Sequence, residues 1–175
     1  MELGRFILRL VIGGLFIGHG TQKLFGWFGG PGREGTQQMV SSLRLHPPGP
    51  NALAVGLTET GGGTLLALGL ATPAAASGLI GVMATAIRTV HLKNGLWGST
   101  GGYEYNLVLI AALLALVEGG PGPLSLDHLL GLDDTDTRWA LAALGTGLAA
   151  SSFVVELGHR LAARQEAAAA LPAHA

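Results

Sequence analysis

The sequence predicts an all-α membrane protein, a bundle of helices that cross a lipid bilayer. Of its 175 residues, 49% are hydrophobic and 12% are charged, about half the charged share of a typical soluble domain. Glycine contributes 29 residues, a frequency typical of helices that pack closely in lipid. The helices are therefore expected to be surrounded by a bilayer.

Charge and cysteine content exclude several other classes of protein. Ten basic residues stand against eleven acidic ones, so the chain has no charge excess with which to bind DNA or RNA. It contains no cysteine, which excludes disulfide scaffolds, thiol relays, iron–sulfur clusters and covalently attached haem. We expect a lipid bilayer as its environment and no nucleic-acid partner.

Five segments are apolar enough to be predicted as spanning helices. A spanning helix needs about 20 mostly apolar residues, and the candidates are 6–25, 52–70, 74–91, 105–118 and 139–155. The third follows a very short turn, and Pro73 suits its first turn because proline has no N–H to leave unpaired there. The fourth is short and ends before a Gly-Gly-Pro-Gly-Pro stop. The fifth is the weakest candidate.

The segments between and within these helices give further expectations. Residues 125–137 predict a polar surface loop that carries four aspartates: Asp127, Asp133, Asp134 and Asp136. The alanine-rich tail that contains His174 predicts a solvated helix extension or a frayed end. Gly14 and Gly18 form a Gly-x-x-x-Gly pair, which indicates a close-packing face. Arg9 is expected to anchor the first helix or to pair with a lipid head group.

Eight polar residues fall at one membrane face, named face B here: the side where the first and third helices end and the second and fourth begin. They are His19, Lys23, Glu59, Arg88, His91, Glu104, Tyr105 and Asn106. Ionisable groups within a bilayer cost at least ~2.5 kcal/mol each and usually face the bundle interior or a wet cavity. We therefore predict a polar pocket that opens at face B. Glu59 is expected to pair with Lys23 or Arg88, and Glu104 with the other cation.

The candidate residues divide by chemistry. Four can exchange protons and are the candidate catalytic residues: His19, Glu59, His91 and Glu104. Four can bind a cofactor by charge or hydrogen bond: Lys23, Arg88, Tyr105 and Asn106. Each also has a structural alternative, because long cations reach lipid head groups and an acid is favourable at a helix N-terminus. We assign no metal ligands.

Three functions are compatible with such a pocket. A quinone or quinol site needs hydrogen-bond donors and groups that exchange protons near neutral pH, which histidine and a buried carboxylate provide. A haem or iron site is the second possibility, although no Glu-x-x-His spacing indicates a di-iron bundle. In the third, the polar cluster only holds helices together in a non-enzymatic scaffold subunit or small transporter.

Several segments resemble the DoxX family. Residues 9–30, RLVIGGLFIGHGTQKLFGWFGG, are similar to the first helix and following loop of that family. Three further segments are similar to its later motifs: Glu59 with the glycine run 61–63, the segment from Arg88 to Asn94 leading through residues 101–107, and Ser125-Leu-Asp127. The resemblance covers residues 3 to 130 approximately. It identifies residues 1–130 as a four-helix transmembrane bundle and leaves 131–175 as an acidic loop, a fifth helix and a tail.

This resemblance implies a multi-pass protein of a bacterial or archaeal cytoplasmic membrane with a role in redox chemistry. Some DoxX-like proteins are subunits of thiosulfate:quinone oxidoreductase or of a quinol oxidase. By motif, the family's polar positions correspond to His19, Lys23, Glu59, His91, Glu104 and Asn106. Quinone is the expected cofactor. Because the sequence contains no redox-cofactor motif, we expect a partner redox subunit that supplies electrons, or a homo-oligomer.

The distribution of basic residues bears on orientation. Face B carries Lys23, Arg33, Arg44, Arg88, Lys93, Arg160 and Arg164, whereas the opposite face, face A, carries Arg5, Arg9 and Arg138. The positive-inside rule then favours a cytoplasmic face B. The count depends on whether the fifth helix spans, so both orientations stay open.

Overall fold

The computed structural model describes residues 2–170, and over that range the chain is helical with no strand. Seven α-helices follow one another: α1 (Glu2–Phe25), α2 (Gly32–Ser42), α3 (Pro48–Leu68), α4 (Thr72–Ala86), α5 (Glu104–Gly119), α6 (Leu126–Leu129) and α7 (Thr137–Ala169). The predicted all-α fold is confirmed. His174 and the end of the predicted tail lie outside the described residues.

The five predicted long helices correspond to α1, α3, α4, α5 and α7. The helix predicted to end at residue 91 does so through a π-helical turn, Ile87–His91, that continues α4. In the part of the chain that the structure describes, three helical segments are long and apolar enough to cross a membrane: Glu2–Phe25, Thr72–Asn94 and Thr137–Ala169. The weakest candidate is therefore confirmed as long and apolar enough, whereas crossing by α3 and α5 stays a prediction.

Helices α1 and α3 pack closely because glycines face each other. A Cβ atom added to Gly13 would lie 2.6 Å from the Gly63 carbonyl oxygen, and one added to Gly20 would lie 2.5 Å from the Thr60 amide nitrogen. The predicted packing face was wrong: Gly14 and Gly18 point away from the bundle, with nothing within 4 Å of an added Cβ. The contact uses Gly13 and Gly20 instead, because these two positions lie on the side of α1 that faces α3.

Helix α7 is part of the bundle, since it packs along α4. Where the two helices meet, a Cβ atom on Gly81 would lie 3.2 Å from the Gly147 carbonyl oxygen, and one on Gly147 would lie 2.8 Å from the Ser77 carbonyl oxygen. Three side-chain hydrogen bonds flank this contact: Ser77–Thr146 (2.8 Å), Thr85–Ser151 (3.0 Å) and Arg88–Ser152 (3.1 Å). Hydrogen bonds of this kind stabilise helix pairs in lipid.

The far end of α7 contacts the turn between α2 and α3. Gly158 lies against Leu45, where an added Cβ would be 2.9 Å from the Leu45 Cα atom. Arg44 forms an ion pair with Glu166 at 2.8 Å. Of the two expectations for the tail after His159, the helix extension is confirmed to Ala169. The ion pair with Arg44 attaches it to the turn that follows α2.

At face A, Arg9 is buried, so of its two expected roles the structure supports anchoring of the first helix and not pairing with a lipid head group. Its side chain is 1% exposed and donates to the Ala67 carbonyl at 3.1 Å, to the Leu124 carbonyl at 2.5 Å and to the Pro121 carbonyl. The last carbonyls of a helix have no partner within it. The guanidinium therefore joins the end of α3 to the loop that follows α5.

Asp127 is also buried, at 2% exposure, so its assignment to a surface loop was wrong. Its carboxylate accepts hydrogen bonds from the Ala71 amide at 2.8 Å and from the Thr72 amide at 3.0 Å and hydroxyl at 2.8 Å. It thus caps the N-terminus of α4 from another part of the chain. The short helix α6 places it there.

We expect Gly63→Ala to destabilise the protein and Gly61→Ala not to. The new methyl group at position 63 would lie 2.7 Å from the Gly13 carbonyl oxygen, whereas at position 61 nothing lies within 4 Å. Overpacking of this kind costs about 1–3 kcal/mol. Thermal unfolding in detergent measures the difference, and equal stabilities of the two variants would contradict the close contact.

A second prediction concerns the loop before α7. Asp134 accepts hydrogen bonds from the Trp139 indole N–H and the Arg138 guanidinium. These bonds hold the pKa of the Asp134 carboxyl below its usual range. The interaction is therefore intact above the ordinary pKa of aspartate and is lost as the pH falls through the lowered value. In a Trp27→Phe/Trp97→Phe background, the fluorescence of Trp139 should change as the pH is lowered, with its midpoint at the lowered pKa of Asp134.

In the same background, Arg138→Met should move the midpoint upward, and Asp134→Asn should abolish the transition. A transition that persists in Asp134→Asn would show that another group quenches Trp139.

Candidate functional site

The candidate site is built around a buried ion pair between α1 and α3. The Lys23 ammonium lies 2.5 Å from a Glu59 carboxylate oxygen, and Glu59 is 2% exposed. The glycine contact at Gly20 brings the two helices close enough for one side chain to reach the other. Of the two partners predicted for Glu59, the structure selects Lys23.

His19 lies one helical turn before Lys23 on the same side of α1. Its imidazole Nδ1 is 3.2 Å from the Gln22 side-chain oxygen, and its backbone carbonyl accepts a hydrogen bond from the Lys23 ammonium at 3.5 Å. The half-buried imidazole thus borders the ion pair, with a neighbouring amide that can donate or accept. These four side chains form what we call the ion-pair cluster: His19, Gln22, Lys23 and Glu59.

Helix α2 covers the face B side of this cluster, and sequence reasoning missed it. Thr36 is fully buried, and its hydroxyl lies 3.3 Å from the Lys23 carbonyl oxygen and 2.7 Å from that of Gly32. Pro31 before the helix and Glu34 in its first turn are signals of a helix start. Its low hydropathy kept it out of a search for spanning segments.

A shallow groove of about 460 Å³ runs along the outer side of α1 and reaches the cluster. Its residues are Leu10, Val11, Gly14, Leu15, Gly18, His19, Gln22 and Phe28. The groove is apolar along most of its length and polar at the end where His19 and Gln22 lie. A lipid-soluble molecule in it would have its polar end beside His19 and Gln22.

The structure places Arg88 elsewhere. Its guanidinium donates to the Ser152 hydroxyl at 3.1 Å and lies 3.6 Å from the Glu156 carboxylate, both on α7. Glu104 accepts a hydrogen bond from the Gly98 amide at 2.7 Å. The expected pairing of Glu104 with the second cation is therefore wrong, because α7 packs against α4 where Arg88 emerges.

The remaining predicted residues lie in or near the loop between α4 and α5. His91 Nδ1 is 2.8 Å from the Gly101 carbonyl oxygen, so it braces that loop. Tyr105 is 47% exposed, and Asn106 is buried with its amide 3.4 Å from the Met83 sulfur. The structure thus joins His19, Lys23 and Glu59 and leaves the other five candidates apart. Any functional roles of these five stay predictions.

The metal and haem possibilities gain no ligand set. Within residues 2–170, no group of three or more histidine or acidic side chains is placed to hold a metal ion. His19 and His91, which could together ligate a haem, lie on different elements: His19 on α1 and His91 at the end of the π-helical turn after α4.

Comparison with known proteins places this geometry in a family. The sequence pattern of the DoxX family matches residues 4–92, just over half of the chain. This chain belongs to the DoxX family. The segment that matches includes His19, Lys23 and Glu59, so the whole ion pair lies in the DoxX region, whereas α5 and α7 lie beyond it. The protein is thus a multi-pass DoxX membrane protein.

A relative from Bacillus subtilis (strain 168) carries the name "Putative oxidoreductase CatD". It is 34% identical to this DoxX protein over 120 residues, which is 66% of this chain and 79% of the relative. No solved structure matches the chain.

We expect a double substitution to separate the charge of the ion pair from its packing. Removing one partner of a buried pair costs about 3–5 kcal/mol, whereas replacing both with apolar residues is often neutral. Thermal unfolding should therefore rank Lys23→Met and Glu59→Leu well below the double variant Lys23→Met/Glu59→Leu.

The matched control is the exposed pair Arg138–Asp134, whose atoms lie 2.8 Å apart. Breaking an exposed pair costs about 0–1 kcal/mol. If the double variant at positions 23 and 59 is no more stable than its single variants, the pair is not the coupled buried unit described here.

Proposed function

We propose that this DoxX protein is a membrane subunit of a redox complex that binds a quinone or quinol head group at the ion-pair cluster. The observation that carries the proposal is the buried Lys23–Glu59 pair beside His19. Charged groups are rarely retained within membrane helices without a function, and a pair next to a titratable imidazole is a suitable proton-exchange site.

Each side chain has a role that its position allows. The His19 imidazole and the Gln22 amide can donate hydrogen bonds to a quinone carbonyl that enters from the lipid side. The Lys23 ammonium favours negative charge that develops on that oxygen. Glu59, hydrogen-bonded to Lys23 at 2.5 Å, can hold a proton for transfer through Lys23 or His19.

The electrons that reduce the quinone come from a partner subunit. Reduction of a quinone to a quinol takes up two electrons and two protons; we assign the protons to this chain and the electrons to a partner redox subunit. The oxidoreductase name of the Bacillus subtilis relative supports a redox setting. We place the protein in the cytoplasmic membrane of a prokaryote, with face B on the cytoplasmic side by the positive-inside rule.

A scaffold function is the second candidate, and a specific observation favours it. Most polar side chains of the bundle hold helices or loops to one another: Arg9 bonds carbonyls at face A, Arg88 bonds α7, and His91 braces a loop. In that case the Lys23–Glu59 pair also serves only to join α1 to α3, and a partner subunit binds the assembled bundle.

The test is quinone occupancy of the protein purified in native lipid discs. We expect a quinone to be retained by the wild type and by the control His159→Ala, an exposed residue of α7. His19→Ala and Glu59→Gln should lower occupancy about tenfold, because one removes a hydrogen-bond donor and the other the charge. Mass spectrometry of the bound lipids measures occupancy, and thermal unfolding shows that each variant is folded.

If folded His19→Ala and Glu59→Gln retain quinone as the wild type does, or if the wild type retains none from quinone-containing membranes, the scaffold function is the correct one. A Soret band in the visible spectrum of the same samples would instead indicate haem.

A further inference from the structure

We infer that the groove on α1 holds the hydrocarbon tail of the quinone, so that the substrate class is long-tailed membrane quinones and not soluble quinones. The inference rests on the proposed function, because it takes the head group to lie at His19 and Gln22. It adds a specificity-determining surface, formed by Gly14 and Gly18, that the proposed function does not need.

The groove has the shape and polarity of such a ligand. From Leu10 to Gln22 it spans twelve residues of helix, about 18 Å at 1.5 Å per residue, and its polar groups are confined to one end. Leu10, Val11 and Leu15, which line it, are each more than 40% exposed on the outer side of the helix. A chain with a polar head and a long apolar tail matches this pattern.

Two glycines in the lining make the groove possible. Leucine at position 14 or 18 would fill it, whereas glycine leaves the backbone of α1 open to a ligand. Gly13 and Gly20 on the same helix are explained by the contact with α3, but nothing of this chain lies within 4 Å of a Cβ at Gly14 or Gly18. Gly145, another outward glycine, does not line this groove.

Selectivity would come from contact and orientation. The tail of a quinone is already surrounded by lipid, so the hydrophobic effect contributes little to its transfer into the groove. Close van der Waals contact along α1 instead fixes the direction of the tail and thereby keeps the ring at His19. A ring without a tail lacks this restraint, and we expect it to bind more weakly at equal concentration in the bilayer.

The experiment compares two probes: a decyl-substituted benzoquinone and the same ring without the chain. Dissociation constants are measured for the full-length protein in lipid discs and expressed per concentration in the bilayer, so that partitioning into lipid does not affect the comparison. We expect Gly14→Leu/Gly18→Leu to weaken binding of the decyl quinone about tenfold and to change binding of the bare ring little. Gly145→Leu, an outward glycine of α7, is the matched control and should bind both probes as the wild type does.

The outcomes separate the two proposals. If the wild type binds neither probe, the proposed function fails. If it binds both but the double leucine variant binds the decyl quinone normally, or loses both probes equally, the tail assignment fails and the proposed function stands. If the leucines convert a dimer to a monomer without affecting the decyl quinone, a second copy of the chain occupies the groove and the assignment is overturned. Gly18→Ala repeats the test with a smaller side chain if the double variant does not fold.

Discussion

The contact between α1 and α3 is the constraint on which the rest of the structure depends. Gly13 and Gly20 meet α3 at Gly63 and Thr60 with no room for a Cβ atom, so the two helices run side by side at nearly backbone distance. The polar contacts at both ends follow from this approach. Towards face B it brings Lys23 to Glu59, and towards face A it brings Arg9 to the last carbonyls of α3.

These contacts form two polar layers with an apolar layer between them. The interior between the Lys23–Glu59 pair and the Arg9–Asp127 region is filled by fully buried Phe16, Leu66, Leu79 and Leu113. Such packing separates the two polar layers in the interior between α1, α3, α4 and α5.

The sequence predicted the long helices and the central pair well, because both depend on patterns along the chain. Apolar runs locate helices, and a carboxylate in such a run requires a partner, which identified Glu59 and limited its partner to Lys23 or Arg88. The rotation of each helix about its own axis, in contrast, depends on contacts with parts of the chain that are distant in sequence. The side of α4 that meets α7 decides that Arg88 bonds Ser152 and not Glu104, and the fold of the loop after α5 decides that Arg9 and Asp127 are buried. Helix α2 escaped prediction because it is short and polar.

The attachment of α7 to the turn after α2 connects α7 with the helix that covers the ion pair. At 33 residues α7 is about 50 Å long, which is more than the ~30 Å hydrocarbon core of a bilayer. In the part that extends beyond this length, Gly158 contacts Leu45 and Glu166 forms an ion pair with Arg44. That turn begins where α2, the cover of the ion pair, ends. The distal third of α7, which lies outside the DoxX match, therefore contacts the turn next to the cover of Lys23, so a displacement of that part of α7 would reach the cover through Leu45 and Arg44.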